Sequence, residues 1–229
     1  RERTLTEKPG HYVEPQFAPD GKTVVFNKVG GGWTRTPTWS QDRGLYAVAV
    51  KGGPVTLITR DGESPHFGAA SDRVFFAAPG EDKLELASIE LDGSDLRTHV
   101  KTENGTRMRV SPDGQWIAWT EGFQAHVAPF PQVGRLVELG PKSESLPVAR
   151  VSRDAGDFVH WSGDSQRLHW SLGPELYTRD LKDAFSFVAG APAKLPEPAE
   201  RGTMIGFKQA TAMPGGTRAI VGARVISMR

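Results

Sequence analysis

Four polar residues occupy one position of a motif that recurs along the chain, and they are the strongest candidates for a site. Each directly precedes the first apolar residue of its copy: Gln16, His66, Arg109 and His160. Side chains alternate between the two faces of a strand, so the four point away from their apolar neighbours. If they lie on the innermost strand of each sheet, they gather at the mouth of a central channel as a polar, weakly cationic binding ring. The alternative is that they only hydrogen-bond to water and to neighbouring loops.

Neither alternative predicts catalysis, and the sequence lacks the usual catalytic arrangements. It has no Gly-x-Ser-x-Gly elbow, no His-Glu-x-x-His pair and no Gly-x-x-x-x-Gly-Lys phosphate loop. It has no cysteine, which excludes disulfides, Cys-ligated zinc and a Cys nucleophile. The Asp-Gly pairs at 20–21, 92–93 and 113–114 are isolated, which favours turns over calcium loops. We therefore predict no catalytic residue, no metal ligand and no cofactor in this chain.

The recurring motif predicts the fold. Its copies begin at residues 17, 67, 110 and 161, a spacing close to the roughly 40–45 residues of propeller blades. In the clearest copies an apolar residue is followed by Pro-Asp-Gly and then by an apolar run, which is typical of a tight hairpin. The copy at residue 67 is degenerate.

A second hairpin follows the motif in each repeat. Residues 45–50 pair with 55–58, residues 84–91 lead into an Asp-Gly turn, and residues 125–130 lead through a glycine into 136–139. Two hairpins per repeat make a four-stranded blade, so we predict an all-β propeller with about four blades visible. A β-sandwich is the alternative, but its strands would not repeat one turn motif at this period. Only residues 181–187 suggest a helical turn.

The charge and hydropathy of the chain argue against two kinds of partner, nucleic acids and the interior of a membrane. The chain has 28 basic and 27 acidic residues, a formal net charge of +1, and no long block of one sign. This argues against nucleic-acid binding. No apolar run approaches the roughly 18 residues of a membrane span.

The composition changes after the fourth copy. We assign residues 1–188 to the blades, the proline-rich residues 189–202 to a linker, and residues 203–229 to the truncated start of a following β domain.

Residues 110–119 and 17–26 resemble the repeats of TolB-like propellers and lack the Gly-His and Trp-Asp pairs of ordinary WD repeats. Residues 161–165 and 168–181 resemble the final blade of a bacterial group in which such a propeller precedes a metal-dependent amidohydrolase domain. Residues 221–228 resemble the first strand of that domain. The resemblance implies a non-catalytic, periplasmic or exported propeller that serves a hydrolase of carbon–nitrogen bonds.

The metal ligands of that family have no counterpart in this chain. Its members bind metal through a His-x-His pair on the first barrel strand, and no His-x-His occurs here. A divalent metal is therefore expected only in a downstream domain.

Two alternatives remain: a stand-alone TolB-like interaction propeller of the cell envelope, and the propeller of a prolyl oligopeptidase-like enzyme. The expected partners are the downstream hydrolase domain and other proteins, and an unclosed arc of blades would self-associate through open edges. Trp33 and Trp39, in the loop of residues 27–42, are further candidates for recognition.

Overall fold

The second strand of each repeat runs through the middle of a blade, and in blades 1 to 3 both of its faces carry apolar residues. The computed structural model describes residues 3–6, 8, 10–30, 42–80, 83–211, 215–216 and 221–222. In these residues four blades of mainly antiparallel strands are arranged around a common axis as a propeller. The predicted all-β propeller is confirmed. The helical segment described is one 3-10 turn, Leu181–Asp183.

Each blade runs from an inner strand outward. Blade 1 contains β1 (Tyr12–Phe17), β2 (Thr23–Lys28), β3 (Gly44–Ala49) and β4 (Thr56–Thr59). Blade 2 contains β5 (Glu63–Phe67), β6 (Arg73–Pro79), β7 (Leu84–Glu90), β8 (Arg97–Thr102) and, from further along the chain, β12 (Val137–Glu138). Blade 3 contains β9 (Gly105–Val110), β10 (Trp116–Glu121), β11 (Gln124–Pro129) and β13 (Ala149–Arg150). Blade 4 contains β14 (Asp157–Trp161), β15 (Arg167–Leu172), β16 (Glu175–Asp180) and β17 (Thr203–Met204).

The Pro-Asp-Gly motifs form the predicted turns between the first two strands. Gly21 and Gly114 have φ of 68° and 72°, which glycine adopts without a steric cost. In blade 3 the Asp113 carboxylate accepts a hydrogen bond from the backbone N–H of Gln115 at 3.0 Å. The turn is therefore stabilised by its own residues.

Serine replaces that glycine in blades 2 and 4, and the replacement links neighbouring blades. The backbone N–H of Asp20 donates to Ser71 Oγ at 3.1 Å, and that of Asp113 donates to Ser165 Oγ at 3.0 Å. The departure from the motif at residue 71 therefore supplies a contact with blade 1.

The hydrophobic core consists of layers between neighbouring blades. One layer joins blades 1 and 2, the next joins blades 2 and 3, and the third joins blades 3 and 4. Side chains of one strand alternate between layers: Ile117 and Trp119 face blade 2, whereas Ala118 faces blade 4. Trp119 and Trp170 are buried in these layers.

The predicted hairpin between residues 125–130 and 136–139 is wrong. β11 pairs instead with β13, and β12 pairs in parallel with β8 of blade 2. The reason is burial: Leu139 is 1% exposed in the layer between blades 2 and 3, and β12 covers the edge of β8. Blade 2 thereby gains a fifth strand.

The predicted linker is followed by a strand of blade 4. β17 pairs with β16 through Thr203 and Met204, so the boundary predicted at residue 203 falls on a strand of the propeller. Most of residues 212–229 lie outside the described part, and the following domain stays a prediction. Among the described residues, no helix has the length and apolarity of a membrane span.

Candidate functional site

The inner strands β1, β5, β9 and β14 surround a central cavity of about 580 Å³. All four residues predicted to form a ring line this cavity: Gln16, His66, Arg109 and His160. The motif position therefore brings them together as expected. Their role in binding a ligand stays a prediction.

A backbone irregularity repeats in three of the inner strands. Glu14, Ser64 and Phe158 have φ of 52°, 56° and 53°, which is unusual for residues other than glycine. The strand register shifts at each of these positions, between residues 13 and 16, 63 and 66, and 157 and 160. Such bulges redirect the side chains that follow them, and non-glycine residues in this conformation cost about 1–3 kcal/mol each.

His66 joins blade 2 to blade 3. Its Nε2 accepts a hydrogen bond from the backbone N–H of Val110 at 3.0 Å, so the ring proton is on Nδ1. Nδ1 donates to the carbonyl oxygen of Ser64 at 3.1 Å. Burial, and then the charge of Arg109, lower the pKa of His66 to about 3. His66 is therefore neutral, and both of its nitrogens are engaged.

Arg109 joins blade 3 to blades 1 and 2. Its guanidinium donates to the carbonyl oxygen of Ser64 at 2.8 Å and lies 3.9 Å from a carboxylate oxygen of Glu14. Glu14 in turn accepts a hydrogen bond from Ser64 Oγ at 3.1 Å. Burial lowers the pKa of Arg109, while Glu14 opposes that shift.

Each of the two arginines that line the cavity has a carboxylate close by. Arg107, on β9, lies 3.4 Å from an Asp157 oxygen, as Arg109 does near Glu14. The expected weak cationic character is therefore offset by acidic residues that the motif position does not include.

Blade 4 completes the wall of the cavity. Trp161 Nε1 donates to the carbonyl oxygen of Arg109 at 3.0 Å, and the Arg107 guanidinium lies 5.1 Å from the centre of the Phe158 ring. His160 Nδ1 lies 2.8 Å from the carbonyl oxygen of Phe158, and its ring stacks on His169 at 5.2 Å. His160 and Gln16 are both exposed to solvent.

Sequence reasoning missed two aromatic residues of the cavity. Phe17 is 67% exposed and Phe158 is 60% exposed, although both lie on inner strands. Phe17 stands at the same motif position as Phe67, Val110 and Trp161, so its residue type gives no sign of its exposure.

Ser88 and His99 form the pair closest to a nucleophile and its base. Ser88 Oγ lies 2.8 Å from His99 Nε2, but Ser88 is fully buried and also accepts a hydrogen bond from Arg73. Burial first, then Arg73 and Arg97, lower the pKa of His99 to about 4. No carboxylate contact is recorded for His99 in the described residues, so the pair lacks the third member of a triad.

The other candidates are a metal site and the pair of tryptophans. In the part of the chain that the structure describes, no three His, Asp or Glu side chains cluster as metal ligands. Trp33 and Trp39 lie outside the described residues.

Known structures share the fold of this chain. TolB from Acinetobacter baumannii superposes with a TM-score of 0.56 at 14% identity, over 77% of this chain and 42% of TolB. An oligogalacturonate lyase from Vibrio parahaemolyticus gives 0.52 at 16% identity, over 80% and 54% of the two chains. A gluconolactonase from Xanthomonas campestris gives 0.52 at 17% identity, over 76% and 58%. The chain thus spans about half the length of these proteins, and the likeness establishes the fold alone.

Comparison of the amino-acid sequence identifies no related protein. No protein-family model matches the chain, and no curated protein matches it. The TolB-like propeller fold is supported, while a link to an amidohydrolase domain is a matter for proposal.

Proposed function

We propose that this chain is a non-catalytic propeller that controls access to an amidohydrolase-like domain or holds partners for it. The observation that carries the proposal is the use of the polar groups around the cavity. His66 Nε2 and the guanidinium of Arg109 are bound to neighbouring blades, and His66 Nδ1 is bound to a carbonyl oxygen of its own strand. These groups therefore stabilise the assembly and are not free to exchange protons with a substrate.

The hydrolase part of the proposal rests on resemblance. Residues 161–165 and 168–181 resemble the blade that precedes an amidohydrolase domain, and residues 221–228 resemble the first strand of that domain. The metal and its His-x-His ligands would belong to that domain. A periplasmic or exported location belongs to the same proposal, because TolB-like propellers are typical of exported proteins.

The first test is enzymatic. The purified chain, incubated with a panel of amides, lactams and cyclic ureas, with and without added Zn²⁺, is expected to show no hydrolysis above the buffer rate. Hydrolysis that disappears in His66→Gln or Arg109→Met, with both variants folded, would contradict a non-catalytic propeller.

The second test addresses the parent protein. The reading frame beyond Arg229 is expected to encode a His-x-His pair within about one barrel strand, since paired imidazoles on one strand face suit a catalytic divalent metal. A stop codon at that place would overturn the hydrolase assignment.

A further inference from the structure

A second cavity lies between blades 2 and 3 and shares no lining residue with the central one. It has a volume of about 890 Å³ and is lined by residues of the β5–β6 turn, the β9–β10 turn and the connection between β11 and β12. Gln132 Nε2 donates to the carbonyl oxygen of Gly114 at 2.8 Å, which holds that connection against the turn of blade 3. The volume lies in the range of small-molecule sites, about 300–1,000 Å³.

His99 lies in the wall of this cavity, in contact with two phenylalanine rings. Its ring centre is 5.4 Å from that of Phe75 and 5.3 Å from that of Phe130, and both phenylalanines line the cavity. The two phenylalanine rings also meet edge to face, with their centres 5.7 Å apart. The wall around His99 is therefore aromatic, and its rings are held by contact with one another.

The hydrogen bonds of Ser88 determine which nitrogen of His99 carries the proton. Ser88 is fully buried, and its Oγ accepts a hydrogen bond from the Arg73 guanidinium at 3.1 Å. Because a guanidinium only donates, the serine proton needs another acceptor, and His99 Nε2 lies 2.8 Å away. Burial, the largest cause, lowers the pKa of His99 to about 4, so its ring is neutral at pH 7. The proton of the neutral ring is therefore on Nδ1.

This Nδ1–H is a hydrogen-bond donor that the fold leaves available. In the described part of the chain it has no protein partner. It is also not one of the buried side-chain atoms without a partner, since among the described residues only Arg179 Nε is of that kind. Nδ1 is therefore open to solvent, and the cavity that His99 lines is where a ligand can reach it.

The cavity also offers a cation without a carboxylate partner. Arg73 and Arg97 share the carboxylate of Asp95. Arg135 is exposed and forms no ion pair with a carboxylate of the described residues. Asp113 lines the cavity as well, and its Oδ1 is bound within its own turn. A ligand with one negative charge therefore suits the cavity better than a dianion such as phosphate.

We propose that this cavity binds a small monocarboxylic acid with a flat apolar body. The carboxylate accepts hydrogen bonds from the guanidinium of Arg135 and from Nδ1–H of His99, of which the charge-assisted bond to the guanidinium is the stronger. The flat body packs against Phe75 and Phe130. The site is separate from the central cavity and goes beyond the role proposed above.

Three ligands test the chemistry: 2-naphthoate, its uncharged analogue 2-naphthamide, and acetate, which has the charge without the flat body. By isothermal titration calorimetry we expect saturable binding of 2-naphthoate, binding of 2-naphthamide that is about tenfold weaker, and no saturation with acetate. Amide NMR spectra locate the site. The signals of residues 97–99, 113–114 and 134–136 are expected to shift with 2-naphthoate, and those of residues 64–66 and 158–160, at the central cavity, are expected to stay unchanged.

Variants of the two donors test their roles. Arg135→Gln removes the charge at an exposed position and is expected to weaken 2-naphthoate binding about tenfold, to the level of the amide. Arg201→Gln, at an exposed arginine outside the cavity lining, is the matched control and is expected to bind like the unchanged chain. His99→Phe keeps an aromatic ring but removes Nδ1–H, and is expected to weaken binding about threefold to tenfold once circular dichroism shows that it is folded.

Four results would overturn the proposal: no saturable binding of 2-naphthoate up to about 10 mM, where affinity is negligible; equal binding of the acid and the amide; equal binding by Arg135→Gln and Arg201→Gln; or NMR shifts confined to the central cavity. None of them depends on hydrolysis or on the reading frame, so the proposed function is tested separately.

Discussion

At the scale of single residues, His66 shows how a titratable group becomes a fixed connector. Its two nitrogens bind backbone groups of blades 2 and 3, and its ring lies beside the guanidinium of Arg109. A proton on Nε2 would break the bond from Val110 and place two cations together. The folded structure therefore requires His66 to be uncharged.

This predicts an acid-sensitive fold. In the unfolded chain His66 takes up a proton near its ordinary pKa of 6.5, whereas in the folded chain it does so only near a pKa of about 3. Stability is thus present above pH 6.5 and falls with pH between these values. Lowering the pH from 6.5 to about 4.5 is expected to remove about 2 kcal/mol of unfolding free energy through His66, because the slope approaches about 1.4 kcal/mol per pH unit only well below pH 6.5.

Urea unfolding of the chain and of His66→Gln across this pH range measures the effect. Glutamine keeps an acceptor and a donor, so the variant is expected to show a flatter pH profile. His11→Gln, at an exposed histidine, is the control and should retain the full slope. A slope unchanged in His66→Gln would show that His66 does not carry the effect.

Ser165 adopts an unfavourable backbone conformation and in return makes a hydrogen bond to the neighbouring blade. It has φ of 60°, where glycine stands in blades 1 and 3, and its hydroxyl accepts the Asp113 N–H. Ser165→Ala keeps the unfavourable φ and removes a half-buried hydrogen bond, so we expect a loss of about 0.5–1.5 kcal/mol. Ser165→Gly relieves about 1–2 kcal/mol of backbone cost and is expected to be less harmful. Thermal or urea unfolding that ranks glycine below alanine would refute this account.

At the scale of elements, β12 is the least local feature of the fold. It leaves the chain of blade 3 and adds a parallel strand to the outer edge of blade 2, where Leu139 enters the core and Glu138 lies near Lys83 and Lys101. An uncovered β8 would present unpaired backbone groups along its edge. The crossing therefore both packs and protects that edge.

Leu139→Ala is expected to destabilise the protein by about 2–5 kcal/mol, because it removes a side chain from a closed apolar layer. Leu136→Ala is the matched control: the same substitution, three residues away, at a side chain that is 37% exposed. Equilibrium denaturation of both variants gives the comparison. Equal effects would mean that the docking of β12 contributes little stability.

The strands and turns show which parts of the fold and of the cavity can be predicted from the sequence. The blade hairpins and the gathering of Gln16, His66, Arg109 and His160 follow from turn chemistry and strand alternation, which are local properties. The strand with which residues 136–139 pair is determined by the buried groove between blades that Leu139 enters. A short apolar run in the sequence does not specify that pairing. The bulges at Glu14, Ser64 and Phe158 carry no glycine signal, so the sequence does not predict Phe158 in the cavity wall or Glu14 beside Arg109.

At the scale of the whole molecule, the two outer faces of the set of blades differ. Blade 1 turns Val24, Phe26 and Val48 away from blade 2, into a small apolar cluster with Leu5 and Tyr12. Blade 4 presents polar side chains, His169 bonded to Thr178 at 2.8 Å.

This arrangement predicts an order of hydrogen exchange. The second strands β2, β6, β10 and β15 lie inside their sheets with layers of side chains against them, so their amides are expected to exchange slowest. The two-residue strand β17, whose side chains are exposed, is expected to exchange fastest of the paired strands. Mass-spectrometric exchange on the intact chain reads this order. Protection of β17 equal to that of β10 would indicate a cover that the blades do not supply.

The crossing of β12 also fixes an order of events during synthesis. The ribosome delivers β8 well before residue 139, and at about 5–20 residues per second the interval is on the order of a few seconds. During this interval the edge strand β8 of blade 2 is uncovered, and another nascent chain nearby can pair with it. The nascent chain is therefore most prone to misassembly while its third repeat is being synthesised, because β12, which covers the edge of blade 2, is then still inside the ribosomal exit tunnel.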